Sequence, residues 1–190
     1  DPAPAPEPTP APAPEHTAYI FVPANAAYSR INWLPTQMQL PIFVDDAPQA
    51  TGDVWVNVSF GTQGDQAPVA RGVVDIINRL KAKGYTRFVL GFASMSGYAA
   101  EHIINENDEA ALGITDMVLI SAVNAQGYQS PSTVHAHFVT SNYDQVVNPS
   151  WALAPINSGW AGVSVNYGLD SHNQILYSKA TLVAFRETQR

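Results

Sequence analysis

The sequence predicts an α/β protein: three layers, with a mostly parallel sheet covered by helices on both faces, preceded by an extended tail. Three observations predict it. Short apolar runs rich in β-branched and aromatic residues alternate along the chain with segments of helical periodicity. The run at 88–90 (FVL) leads into the small-residue stretch Gly91-Phe92-Ala93-Ser94-Met95-Ser96-Gly97 and then into an Ala-rich amphipathic segment, so strand, tight turn and helix follow one another. Ser94, Asp144 and His172 each lie just past an apolar run. In a parallel sheet, that places all three at the edge where the strand C-terminal ends collect.

The elements follow in order. Residues 1–14 (DPAPAPEPTPAPAP) carry Pro at every even position. Each Pro fixes φ and removes a donor, so the segment is polyproline II, a spacer of about 3 Å per residue. The division is a tail over 1–16 and one domain over 17–190. Residues 19–22 (YIFV) are a buried strand, and 24–52 an irregular crossover with one short helix. Residues 54–60 (VWVNVSF) are a strand. Val69, Val73, Ile76, Ile77 and Leu80 recur at helical spacing over 67–83, and Gly84 ends that helix. Strands are expected at 88–90, 117–121, 136–140 and 162–167. Helices are expected at 96–107, from Pro149 to Leu153, and at 173–188. No internal repeat occurs.

Composition narrows the class. Hydrophobic residues make up 46% and charged residues 13% of 190, against about 25% charged in an average soluble domain. Asn, Gln, Ser, Thr and Tyr replace the missing charge. Such a surface repels copies of itself weakly. A net charge of −7, with no basic cluster, argues against nucleic acid. The absence of cysteine excludes disulfides and thiolate chemistry. No run of 18 apolar residues is present to span a membrane. The chain begins with Asp, and the expectation is a secreted protein, extracellular or periplasmic, after loss of its signal.

The segments YTRFVLGFASMSGYAA, HAHFVTSNYDQVVNPSWA and VNYGLDSHNQILYSKATLVAF, in that order, resemble the nucleophile strand and helix, the acid strand, and the His loop and closing helix of the α/β-hydrolase superfamily. The resemblance covers about residues 17–190. It implies a minimal, cap-less hydrolase fold with Ser94, Asp144 and His172 as a working or vestigial triad and no cofactor. The nucleophile elbow requires small residues two before and two after its apex. With Gly91 as the first small residue the apex is Ala93, and the site is inert. With Ser94 at the apex, Ser96 fits but Phe92 stands where bulk collides. Strand-side sterics favour Ala93; chemistry favours Ser94. The loop expected to help build an oxyanion hole, Pro23-Ala24-Asn25-Ala26-Ala27, has no Gly.

Other residues have plainer readings. Asn142-Tyr143-Asp144 is also turn chemistry, and His172 follows Asp170-Ser171 at an expected helix start. His135 and His137 face one side of a strand, with no carboxylate near in sequence to complete a metal site. His102 is a structural helix residue. Asp45-Asp46 and Asp108-Glu109 are solvated acidic pairs. Asn57-Val58-Ser59 matches a glycosylation motif but lies in a strand. Trp33, Trp55, Trp151 and Trp160 suit either packing under loops or an interface.

The function expected from sequence is a secreted, non-catalytic hydrolase-like protein that self-associates into homo-oligomers or homopolymers, its Pro-rich tail docking on a neighbour. The alternative is a small serine esterase using Ser94, Asp144 and His172. A ligand-binding pocket without chemistry is a third reading.

Overall fold

The protein is described from a computed structural model, which covers residues 15–24, 31–59, 64–124, 127–129 and 133–189. The Pro-rich tail over 1–14 and loop residues Asn25, Ala26 and Ala27 lie outside the described residues.

Seven strands form one sheet in the order β2-β3-β1-β4-β5-β6-β7. They are β1 (Thr17–Val22), β2 (Ile42–Val44), β3 (Val54–Asn57), β4 (Arg87–Ala93), β5 (Ile114–Ile120), β6 (His135–Ser141) and β7 (Gly162–Gly168). Every pairing is parallel. β4 is the central strand, and beside it β1 has all six of its residues buried. From β1 the chain first builds β2 and β3 on one side, then returns to lay β4 against β1's other flank and proceeds outward to β7. The loops after β1 and β4 therefore diverge, which opens a crevice at their C-terminal ends.

Strand alternation sorts the core into two layers. Phe88, Leu90 and Phe92 of β4 pack with α2 (Ala67–Ala82) and α3 (Gly97–Glu106). Val89 and Ala93 pack with α1 (Trp33–Met38) and α6 (Lys179–Glu187). The second layer centres on Trp55, whose ring lies 5.0 Å from that of Phe185 and stacks on Phe21 and Tyr19. Gly91 makes room there: a β-carbon on it would come within 2.6 Å of Phe185 Cζ. Its small size serves the docking of α6 and not the elbow.

Several local expectations change. The region read as an irregular crossover contains strand β2 as well as helix α1, because the 42–44 run pairs with Trp55, Val56 and Asn57. Asp108 is not in a plain loop; its side chain accepts from Ala111 N and caps α4 (Glu109–Leu112). The last helix starts late. A short 3-10 turn spans Ile175–Tyr177, and Ser178, accepting from Thr181 N, caps α6. His172 thus sits in a loop, clear of the helix cap. Asn57 is buried and accepts from Trp55 Nε1, which closes it to glycosylation.

Candidate active site

The register of β4 against β5 shifts once, between Phe88 and Val89, and then runs regularly to Ala93, which opposes Ile120 and has extended backbone at φ −119°, ψ 134°. The bend comes one residue later. Ser94 sits at φ 51°, in the left-handed region, and opens a 3-10 turn over Ser94–Ser96 that runs into α3. The apex of the elbow is therefore Ser94, and the strand-side argument for Ala93 fails. Phe92 does not collide, because alternation sends its side chain into the buried α2/α3 layer. The crowded position is Gly97, where a β-carbon would fall 2.0 Å from Val123 O and 2.9 Å from Val123 N.

Ser96 locks the bend. Its buried hydroxyl accepts from Ala93 N at 2.8 Å and lies 2.9 Å from Val22 O at the end of β1 and 2.8 Å from Ala93 O. Val123 N donates to Ser94 O at 3.0 Å and ties the apex to the segment after β5. A left-handed, non-Gly apex held by so many bonds is the strained geometry expected of a functional residue.

Three loops converge on this point. His172 Nε2 lies 2.9 Å from Ser94 Oγ, and His172 Nδ1 lies 2.7 Å from Asp144 Oδ2. Asp144 is buried, and its other oxygen accepts from Val146 N (2.9 Å) and Val147 N (2.8 Å). The turn chemistry read from Asn142-Tyr143-Asp144 and the acid position are thus the same feature. Burial pushes the Asp144 carboxyl up, but His172 and the Val147 N–H, helped by the Ser121 hydroxyl and the Val146 N–H, outweigh it and hold the group below the ordinary carboxylate range. Ser121 is buried and itself sits at φ 42°.

The crevice beside the serine is lined by Ala24, Ala93, Ser94, Ile120, His172 and Leu176, among others, and has a volume of about 20 Å³. That is room for about one water. A larger hollow of about 450 Å³ lies along α3, lined by Tyr98, Glu101, His102 and Asn105, and includes none of the three triad residues.

The other sequence candidates go elsewhere. His137 meets carboxylates after all, supplied by tertiary structure: Asp116 Oδ1 at 2.9 Å and Glu187 Oε2 at 3.3 Å, with Ser164 Oγ at 2.9 Å. Arg87 adds bonds to Asp116 Oδ2 and to Thr188 O, each at 2.7 Å. This network ties the end of α6 to the sheet at the edge opposite the triad. His102 lies 2.5 Å from Glu106 one helical turn on. Asp46 pairs with Lys83, and Asp45 accepts from Ser59 N at 2.8 Å. The rings of Trp160 and Tyr128 lie 4.8 Å apart, tilted at 56° to each other. Among the described residues no group of three His, Cys, Asp or Glu could hold a metal ion, and no helix is long and apolar enough to cross a membrane.

Sheet order, elbow and converging loops decide the architecture. This is an α/β-hydrolase fold. No protein-family model matches the chain, and no curated protein does. Among solved structures, the hydrolase fold here is similar to the type II thioesterase BorB of the borrelidin biosynthetic cluster (TM-score 0.66, 12% identity, 96% of each chain covered). It is similar to the RedJ thioesterase of the prodiginine pathway in Streptomyces coelicolor (TM-score 0.62, 12% identity, 97% of this chain and 92% of that one). It is also similar to a protein from Xanthomonas campestris pv. campestris assigned to the α/β hydrolase superfamily (TM-score 0.59, 14% identity, 93% and 98% covered). At these identities the likeness is one of fold.

Proposed function

We propose that this protein is a serine hydrolase that transfers the acyl group of an ester or thioester to water. Ser94 Oγ attacks the acyl carbon while His172 Nε2 takes its proton. Asp144 holds the imidazole through Nδ1 and stabilises the imidazolium. The proton passes from His172 to the departing alcohol or thiol, and water then repeats the attack on the acyl-serine. The oxyanion would be met by the N–H of Met95, the residue after the nucleophile, and by that of Ala24, the first N–H beyond Pro23.

One observation carries the reading: a left-handed Ser94 with its hydroxyl 2.9 Å from His172 Nε2. The crevice beside Ser94 is small and mostly apolar, which supports starting the trial substrates from the shortest acyl groups. The two thioesterases of similar fold support including thioesters among the trial substrates. The test is labelling by a fluorophosphonate probe together with turnover of p-nitrophenyl acetate and an acetyl thioester. Ser94-dependent labelling is the expected result; its absence removes the proposal.

Self-association is a second reading, and it is compatible with the first. Its support is the low charge of the chain and the large apolar side chains exposed at one end of the sheet, among them Tyr143, Val146, Trp151, Tyr167 and Leu169. In this reading the protein is secreted, and the tail over 1–14 reaches a neighbouring copy. Light scattering on the full chain and on a chain lacking 1–14 tests it: unchanged assembly without the tail removes the tail's role.

A further inference from the structure

The two edges of the sheet are built differently. β2 is three residues long, follows Pro41 and is succeeded by Asp45 and Asp46. A short strand flanked by proline and acids is a common protection against edge pairing. β7 is seven residues long, GVSVNYG, with no charged residue, and among the described residues it pairs only with β6.

The backbone groups left open on β7 can be assigned. Ser121 N donates to Val139 O, so the backbone of Val139 faces β5. By alternation Ala136, Phe138 and Thr140 face β7. In the parallel register of β6 with β7, the backbones of Gly162, Ser164, Asn166 and Gly168 then turn toward β6. The N–H and C=O groups of Val163, Val165 and Tyr167 point outward from the sheet.

That row is complementary to itself. In an antiparallel pair about a two-fold at Val165, Val165 meets its own copy, and Val163 and Tyr167 meet each other twice. All three are outward-facing, so each pair exchanges two backbone hydrogen bonds. Val163 is 45% and Tyr167 59% exposed, and aromatic with β-branched is a favourable cross-strand pair. On the other face Ser164 meets Asn166, both already bonded to Glu187. Apolar meets apolar, polar meets polar, and no like charges oppose.

The geometry points to a two-fold homodimer in which the β7 strands of two copies pair antiparallel, joining two seven-stranded sheets into one. The occupant of this edge is a second copy of the chain. This rests on the self-association reading and names the surface it uses, independently of catalysis. An isologous contact of this kind closes at two copies.

The absence of cysteine makes the test clean. In Val165→Cys the two introduced thiols sit at the two-fold, where hydrogen-bonded antiparallel partners have Cα atoms about 5.5 Å apart, within disulfide reach. Mild oxidation should give a covalent dimer on a non-reducing gel, and Val44→Cys on the other edge should not. Tyr167→Lys, at an exposed position, should shift the full chain to monomer in light scattering while leaving its circular dichroism unchanged. A monomeric wild type at micromolar concentration overturns both this dimer and self-association itself. An assembled wild type that neither crosslinks through Val165→Cys nor responds to Tyr167→Lys overturns the β7 pairing alone. An assembly lost only on removal of residues 1–14, without the crosslink, does the same and assigns the contact to the tail.

Discussion

Gly97 packs so close to Val123 that a β-carbon on it would lie 2.0 Å from the Val123 carbonyl oxygen. This contact, rather than any at Phe92, is where the elbow has no spare room. The Val123 amide also bonds Ser94 O, so the same residue crowds the helix start and holds the apex.

Gly97→Ala should therefore both destabilise the protein and weaken labelling at Ser94, because the start of α3 must retreat and take the apex with it. Gly91→Ala collides instead with Phe185 Cζ at 2.6 Å, the end of a side chain on α6. It should lower the melting temperature while the folded fraction still labels at Ser94. Thermal melts paired with probe labelling of each variant separate the two effects.

Ser94→Ala should remove labelling and lower ester turnover by roughly 10⁴-fold or more. Ser94→Gly should remove activity as well but stabilise the fold, since glycine adopts φ 51° without strain. A gain of about 1 kcal/mol corresponds to roughly 2–4 °C in a chain of this length. Calorimetry on both variants reads this out. A melting temperature for Ser94→Gly at or below that of wild type contradicts it.

Asp144→Asn should keep the turn, because one side-chain oxygen still accepts from Val146 N and Val147 N. It should lower kcat by about 10⁴-fold with KM nearly unchanged, through loss of the imidazole's charged partner. Asp144→Ala loses the turn bonds too and should cost about a further 1–2 kcal/mol of stability. The comparison needs kinetics and urea unfolding on the same two proteins.

Acid should unfold this protein through three carboxylates. Asp116, Asp144 and Glu187 are each raised by burial but lowered further by their hydrogen bonds, and all end below their ordinary values. A carboxyl depressed in the folded state contributes stability that is full above its unfolded pKa, about 4, and is lost as pH falls through the folded value. Asp116 accepts from both Arg87 and His137 and is almost wholly buried. Asp116→Asn should cost about 3–5 kcal/mol at neutral pH, lowering the melting temperature by roughly 10 °C, and should flatten the loss of stability below about pH 4. Urea unfolding from neutral pH into that range shows the slope.

The amino-acid sequence determined the class of this fold and named the loops that carry its candidate site. Strand runs, helical periodicity and the order Ser94, Asp144, His172 are local patterns, and local patterns survive in one dimension. Long-range packing decided the rest. Gly91 reads as an elbow residue until Phe185, far along the chain, is seen to occupy its space. Phe92 reads as an obstruction until the sheet's alternation buries it on the far face. His137 has no carboxylate near it in sequence, and β5 and α6 bring two. The apex fell to Ser94 because β4 holds its register against β5 from Val89 to Ala93 and bends only beyond it, and a register between two strands is a property of the pair that neither strand encodes alone.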